Sequence, residues 1–455
     1  MAWVFRTQPS RRIAALGFLS VLFWGWVDYR GAVVLLTVSA WCFLVAHKVS
    51  GAPKRSLSRK RWCGVGVVGA LAPLLLFKTL PEVGSYIAEV RGADSLFDRW
   101  WQPIGIAMLG LQAVSYIVDV YRDDSSVKPF NVVLVVCGFF PKAFAGPLVR
   151  TASFSDQLER PFHGEYEIEK IAVRVLSGCF KKYVLVETLL AFDGIALGSG
   201  DRLGAWDTFW HLLAGFVAFV VDVSAYTDIA LAAGLLCGVK LPENFNAPFS
   251  GWTPSEVWRR WHMSVAGFFR DYVAAPLRGR SNNPWRQAAA VIVSILLLDL
   301  WHIASPGILL WGLLIAVPMA VEQEMGRRRA LKTGRHKRQE RTGVARWSRA
   351  VLILLYLSSI GQLVHGTGVR VAWQSVKTLA NPMFATQIAS WWVVGCILCG
   401  WMIGAGLFGW LHDLILAMFK RLPVIAVALL CAVGVSVARV FAVGGIPSFL
   451  YSRLG

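Results

Sequence analysis

What most constrains this chain is a succession of apolar stretches, each near the length a helix needs to cross a bilayer. A span takes about 20 mostly apolar residues, and such runs occur at 13–29, 32–49, 62–80, 103–120, 130–148, 170–198, 208–238, 287–301, 304–322, 350–366, 388–410 and 423–445. The hydrocarbon layer offers no water to an open backbone, so runs of this length must be helical. The pattern predicts an all-α polytopic integral membrane protein with roughly ten to thirteen transmembrane or re-entrant helices. Only 16% of the 455 residues are charged, against about a quarter in soluble domains. Soluble multidomain, disordered, collagenous and small disulfide-scaffold classes are thereby excluded. The first run follows basic residues as a signal peptide would, but no small-residue cleavage site leads into a soluble region, so it reads as a retained helix.

The formal net charge is +19, and its distribution decides what it means. Arg6, Arg11 and Arg12 precede the first run, and Lys54, Arg55, Arg59, Lys60 and Arg61 separate the second from the third. The segment 326–349 holds ten Lys or Arg and one acid, Glu340, so these three segments carry 17 of the 19 charges. Each lies beside a long apolar run, where the positive-inside rule places cytoplasmic loops. With the N-terminus inside, spans one and two bring the chain back to the cytoplasm at Lys54–Arg61, and all three clusters share one side. A nucleic-acid stripe needs a folded polar domain to present it, and none is visible; no nucleic-acid partner is expected, whereas membrane lipids are. The chain divides into N-terminal transmembrane helices (1–100), a core (101–322), a basic cytoplasmic loop (323–349) and C-terminal transmembrane helices (350–455). The eight cysteines show no metal-ligand spacing; Cys396 and Cys399, three apart in an apolar run, read as small packing residues. No metal site and no structural disulfide are expected.

Polar residues buried in apolar sequence are costly in lipid and mark pathways or reaction centres. They concentrate in two places. From Leu241 to Leu277 a Pro- and Asn-rich turn (Pro242, Asn244, Asn246, Pro248) precedes a helix start at Thr253, where Thr253 and Glu256 fit a capping box with Pro254 in the first turn. Trp258, Trp261, Phe268 and Phe269 then recur at helical spacing beside Arg259, Arg260, His262, Arg270 and Asp271. This suits an amphipathic helix at the interface or dipping into the bilayer, whose arginines either serve a site or anchor lipid phosphates. The second place is Asp299-Leu-Trp301-His302, closing one apolar run and leading into the next. A neutral imidazole accepts a hydroxyl proton near neutral pH, and Asp299, one turn earlier, is placed to orient the ring. A helix-capping or carbonyl-bonded histidine is the bland alternative. His47, His163, His336 and His412 fall at polar or basic positions and read as background, while His211 and His365 stay open.

At these residues the chain resembles the membrane-bound O-acyltransferase family, in the bacterial branch of alginate O-acetyltransferases and teichoic-acid D-alanyl transfer proteins. The resemblance runs in ordered blocks: Gln102 to Ile106, Ser115 to Arg122, Phe139 to Arg150, Asp222 to Ala230, Leu241 to Phe249, Val257 to Ser264, Phe269 to Tyr272, Leu300 to His302 with Leu310 to Gly312, and a tail at Pro447 to Arg453. There are departures. Ile303 stands where a glycine usually follows the family's histidine, Pro276-Leu-Arg-Gly279-Arg replaces a Pro-Leu-Gly-Gly pattern, and Leu363-Val-His365 stands in place of a Phe-Arg pair.

The resemblance implies helices around a central channel and transfer of an acyl group from a cytoplasmic thioester to a hydroxyl of an extracytoplasmic glycan. It puts the reacting histidine at His302 and a second polar residue at His262, with no bound cofactor and with acetyl-CoA or an acyl-carrier thioester as co-substrate. Asn244, Asn246, Trp258, Arg259, Arg260, Trp261, Arg270, Asp271 and Trp301 become candidates for holding donor or substrate, although the arginines equally suit lipid headgroups and the asparagines an irregular backbone. A multi-pass protein of the bacterial inner membrane, acting on an exopolysaccharide with a periplasmic partner acyltransferase or polysaccharide-export complex, is the expectation. D-alanyl transfer to teichoic acid is the alternative, and a polysaccharide or lipid transporter is the alternative from another class. A transporter calls for paired, symmetric broken helices, which the sequence does not display.

Overall fold

A computed structural model of the protein describes residues 7–97, 100–162, 167–198, 204–333, 343–361, 363, 368–380, 391–407 and 409–440. His163, His336, His365, positions 334–342 of the basic loop and the Pro447–Arg453 tail lie outside the described residues. The described residues form α-helices with short 3₁₀ and π turns and contain no strand. In chain order the helices are α1 Pro9–Val27, α2 Tyr29–Gly51, α3 Leu57–Leu74, α4 Leu80–Arg91, α5 Ile106–Arg122, α6 Phe130–Gly138, α7 Thr151–Glu159, α8 Ile168–Cys179, α9 Glu187–Gly198, α10 Ala205–Leu236, α11 Pro254–Arg260, α12 Met263–Phe269, α13 Ala275–Arg278, α14 Pro284–His302, α15 Pro306–Thr333, α16 Val344–Gly361, α17 Gly368–Ala380, α18 Trp391–Gly404, α19 Gly409–Phe419 and α20 Val424–Val440.

Among the described residues six helices are long and apolar enough to cross a membrane, and a seventh if the bent pair Val393–Gly404 and Gly409–Phe419 is one span. Other apolar runs of the sequence are interrupted. The run at 130–148 stops as a helix at Gly138: Phe139 leaves helical backbone (φ −50°, ψ +110°), and a 3₁₀ turn over Phe140–Lys142 follows. The run at 170–198 is broken by a π turn over Phe180–Val186. This wider turn leaves both Lys181 and Lys182 buried.

Two compact units interleave along the chain. The first comprises the described residues of Met1–Arg174 and Thr227–Glu243; the second, those of Val175–Tyr226 and Asn244–Leu450. In the first, α2 packs on α1, α3, α5 and α6, around a core that includes Leu16, Phe139, Phe154, Leu158 and Leu231. Two arginines from the basic clusters are structural here. Arg12 is 1% exposed and donates to the carbonyls of Gln157, Leu158 and Arg160, closing the end of α7. Arg59 donates to the carbonyls of Val120 (3.0 Å) and Tyr121 (3.1 Å) and to Asp123 (2.6 Å), closing the end of α5. Arg59 and Lys54 hold the Asp123 carboxyl below the usual carboxylate range. The early family-like blocks meet in this unit: Gly105, at φ +81°, lies so close to Ala143 that a Cβ would stand 2.6 Å from its carbonyl oxygen. Lys142, buried, donates to Gln112 Oε1 and the Val136 carbonyl, each at 2.7 Å. Arg174 bridges Asp228 and Glu243, joining α8 to α10 and the turn that follows it.

In the second unit α14 and α15 form an antiparallel pair. Its core includes Leu189, Val217, Val221, Phe249, Ile295, Ile315, Leu354 and Cys396. All the candidate site residues named from the sequence lie in this unit.

Candidate functional site

The capping box forms, one residue displaced from the simplest expectation. Thr253 Oγ1 accepts from Glu256 N at 3.3 Å, while the Glu256 carboxylate reaches back to Trp252 N at 3.2 Å. The resulting helix α11 is short, because Trp261 turns extended and His262 adopts left-handed backbone (φ +39°, ψ +50°), serving as the residue before α12. Histidine is tolerated there but uncommon. The corner is held from below by the Asn-rich turn: Asn246 N donates to Arg260 O (2.9 Å), and Met263 N donates to Asn244 O (2.8 Å). The Asn244 side-chain oxygen accepts from both Ser264 N (3.1 Å) and Ser264 Oγ (2.7 Å). Asn244 is 0% exposed and His262 5% exposed. This corner lies outside the helices long enough to span, and burial pushes the His262 imidazole down to about 4, so the ring is neutral at neutral pH.

From His262 the seven residues of α12 lead to Phe269, roughly 10 Å along the axis. Phe269 O accepts from Ser294 Oγ of α14 at 3.1 Å. The Phe269 ring lies 6.4 Å from Trp301, whose ring stands 4.4 Å edge-on from His302. A chain of contacts through α12, Phe269 and Trp301 thus links the two histidines, and His302 closes α14 half-buried. Ile303 follows with φ −151°, extended backbone that any residue adopts, so the missing family glycine places no demand on this turn. Gly279, by contrast, keeps a positive φ of 55° in the departed Pro-Leu-Arg-Gly segment.

Asp299 does not orient His302 in this structure. Its carboxyl oxygens are buried and have no hydrogen-bond partner; the side chain lies instead against α15, where a Cβ on Gly312 would overlap it. Side chains three apart share a helix face, so it is the packing of Asp299 against α15 that turns it from His302. The arginines also separate. Arg260 donates to Asn246 O and Ser250 Oγ, and Arg270 chelates its neighbour Asp271 at 2.7 and 3.1 Å. Arg259 is exposed. Trp261 stacks on Phe216 (5.9 Å) and Phe219 (5.5 Å), and Trp258 packs on the same core.

Two further clusters lie in this unit, one that sequence reading passed over and one at His211, which the sequence left open. Lys182 bonds Asp222 (2.9 Å) and Glu187 (3.0 Å), with Lys182 2% and Asp222 0% exposed; the signal was a double lysine inside an apolar run. His211 Nδ1 stands 2.9 Å from Asp193 Oδ1, off hydrogen-bond alignment. Among the described residues no group of His, Cys, Asp and Glu is arranged to hold a metal ion.

The sequence profile of the membrane-bound O-acyltransferase family matches residues 132–361, a stretch that contains His262, His302 and every other candidate. The chain belongs to this family. Among its relatives, a "probable alginate O-acetylase" of Pseudomonas syringae pv. tomato is 28% identical over 314 residues, covering 68% of this chain and 60% of the relative. Its counterpart in Azotobacter vinelandii is 28% identical over 383 residues, covering 82% of this chain and 73% of the relative. A teichoic acid D-alanyltransferase of Bacillus subtilis is 24% identical over 307 residues, covering 64% and 75%. The chain therefore spans 60% of the length of the Pseudomonas relative. As a family member with several apolar helices of spanning length, it is a multi-pass membrane protein.

Proposed function

We propose that this protein is an O-acyltransferase of the bacterial inner membrane that acetylates a cell-surface polysaccharide. The observation that carries the reading is the family match over 132–361, which brackets a half-buried imidazole at the end of α14 and a buried neutral one at the α11–α12 corner. The alginate O-acetylase relatives favour acetyl over alanyl as the transferred group.

In the reaction, His302 accepts the proton of a glycan hydroxyl as its oxygen attacks the thioester carbonyl. The tetrahedral intermediate collapses, the C–S bond breaks, and the thiolate leaves with the proton returned by the imidazolium; products are a glycan ester and a free thiol. The donor, acetyl-CoA or an acyl-carrier thioester, is a co-substrate. The glycan acceptor and a periplasmic partner acyltransferase or polysaccharide-export complex complete the proposal. Of the arginines, Arg259 and Arg270 are exposed to an anionic donor or a lipid phosphate, Arg270 while paired with Asp271.

Deleting the gene and measuring ester-linked acetate and alanine on surface glycans tests this directly. Loss of acetate alone is expected; loss of alanine alone selects D-alanyl transfer, and loss of neither with a collapsed solute gradient selects transport. In the His302→Ala chain, accumulation in the membrane with acylation abolished is expected, and normal acylation refutes the assignment.

A further inference from the structure

Asn244 looks, from sequence, like a group that hydrogen-bonds a substrate. We infer instead that Asn244 is a positioning residue, whose backbone and side chain clamp the left-handed corner that presents His262; this rests on the acyltransferase reading for its effect on catalysis but not for its geometry.

The corner is unusual in needing support. His262 carries a Cβ in left-handed backbone, a conformation that persists only where the surroundings impose it. The imposing contacts come from both sides of the histidine and converge on one tripeptide. Before it, Arg260 O accepts from Asn246 N at 2.9 Å; after it, Met263 N donates to Asn244 O at 2.8 Å. These two bonds brace the segment Trp261–His262 at both of its ends against Asn244–Asn246. The Asn244 side chain adds a second grip, its Oδ1 taking both the backbone N–H and the hydroxyl of Ser264. Ser264 N is among the first amides of α12, which lack partners within their own helix, so Asn244 supplies the cap that His262 itself does not provide.

A side chain that is 0% exposed, with its oxygen directed at two donors of the neighbouring segment, is built into the frame. Asparagine suits the place because its carbonyl oxygen accepts two hydrogen bonds without bringing a formal charge into a buried setting. The sequence separates Asn244 from Ser264 by twenty positions, so no local pattern announces the pair.

The test uses the full chain in host membrane vesicles, with acetyl-CoA as donor and the endogenous surface glycan as acceptor, together with amide hydrogen exchange on the purified protein over residues 261–266. Asn244→Ala is expected to speed exchange there at least tenfold and to lower turnover per enzyme at least tenfold, with KM for acetyl-CoA within twofold. Asn244→Asp keeps the accepting oxygen opposite Ser264 but brings a formal charge into the buried setting, and is expected to fall between wild type and Asn244→Ala in both. Exchange at the wild-type rate in Asn244→Ala, faster exchange with turnover unaltered, or a KM raised tenfold with exchange unchanged, each overturns the clamp. Should Asn244→Ala fail to accumulate, Ser264→Ala is read instead: faster exchange and lower turnover support the clamp, and wild-type behaviour overturns it. If wild-type vesicles transfer no acetate, the acyltransferase reading fails, and the exchange rates alone decide the clamp.

Discussion

Replacing Gly312 by alanine tests the closest approach in the α14–α15 pair. A Cβ there would overlap Asp299 Oδ2, stand 2.9 Å from Asp299 Cγ and 3.4 Å from Leu296 Cδ2. Carbon atoms pack at about 3.5–4.0 Å, so Cγ has to retreat by about 0.6 Å or more and the oxygen further still. Asp299 is 0% exposed and its oxygens lack hydrogen-bond partners. It has neither water to turn toward nor a bond anchoring it. The carboxyl group must therefore swing into packed apolar neighbours, or the helices must part, and overpacking of this kind costs about 1–3 kcal/mol. Unfolding in mixed micelles, followed by tryptophan fluorescence, measures it. Adding Asp299→Ala removes the obstructing group, and the double variant should recover most of the loss, a coupling of about 1–3 kcal/mol between residues in contact. A Gly312→Ala chain within about 0.5 kcal/mol of wild type, or a double variant no better than the single, refutes the steric reasoning.

Other perturbations follow from the same geometry. Arg59→Met leaves the carbonyls of Val120 and Tyr121 without their donor and should cost about 1–3 kcal/mol, while reporter fusions after residue 61 keep the same orientation; a topology flip without loss of stability contradicts the capping role. Lys182→Met strands Asp222 and Glu187 in the second unit and should cost about 3–5 kcal/mol, reduced when Asp222→Asn is added; equal stability of wild type and Lys182→Met refutes the buried ion network. Ile303→Gly should bring no gain in activity, because φ at 303 is −151° and the freedom glycine offers is not needed; a rise in acetyl transfer in the glycine variant contradicts this.

The sequence by itself determined the class of the fold and marked out the polar segments where the chemistry is proposed. Apolar runs near 20 residues admit only helices in lipid, and the polar segments around His262 and His302 stand out because lipid makes them expensive. The capping box at Thr253 was also legible, since its partners are three residues apart. Interactions between distant residues were not. The basic clusters read uniformly as topology signals, yet Arg12 and Arg59 close the ends of α7 and α5, a role that depends on which helix end lies beside them. Asp299 is one turn from His302 in sequence, on the same face of the helix, but lies against Gly312 because the packing of α15 chooses its neighbour. Likewise Ser264, twenty positions from Asn244, is its partner only once the turn folds beneath the α11–α12 corner. Periodicity and composition report the solvent each segment must face. Which side chain meets which is set by packing across the fold, and that is where the surroundings of both histidines were decided.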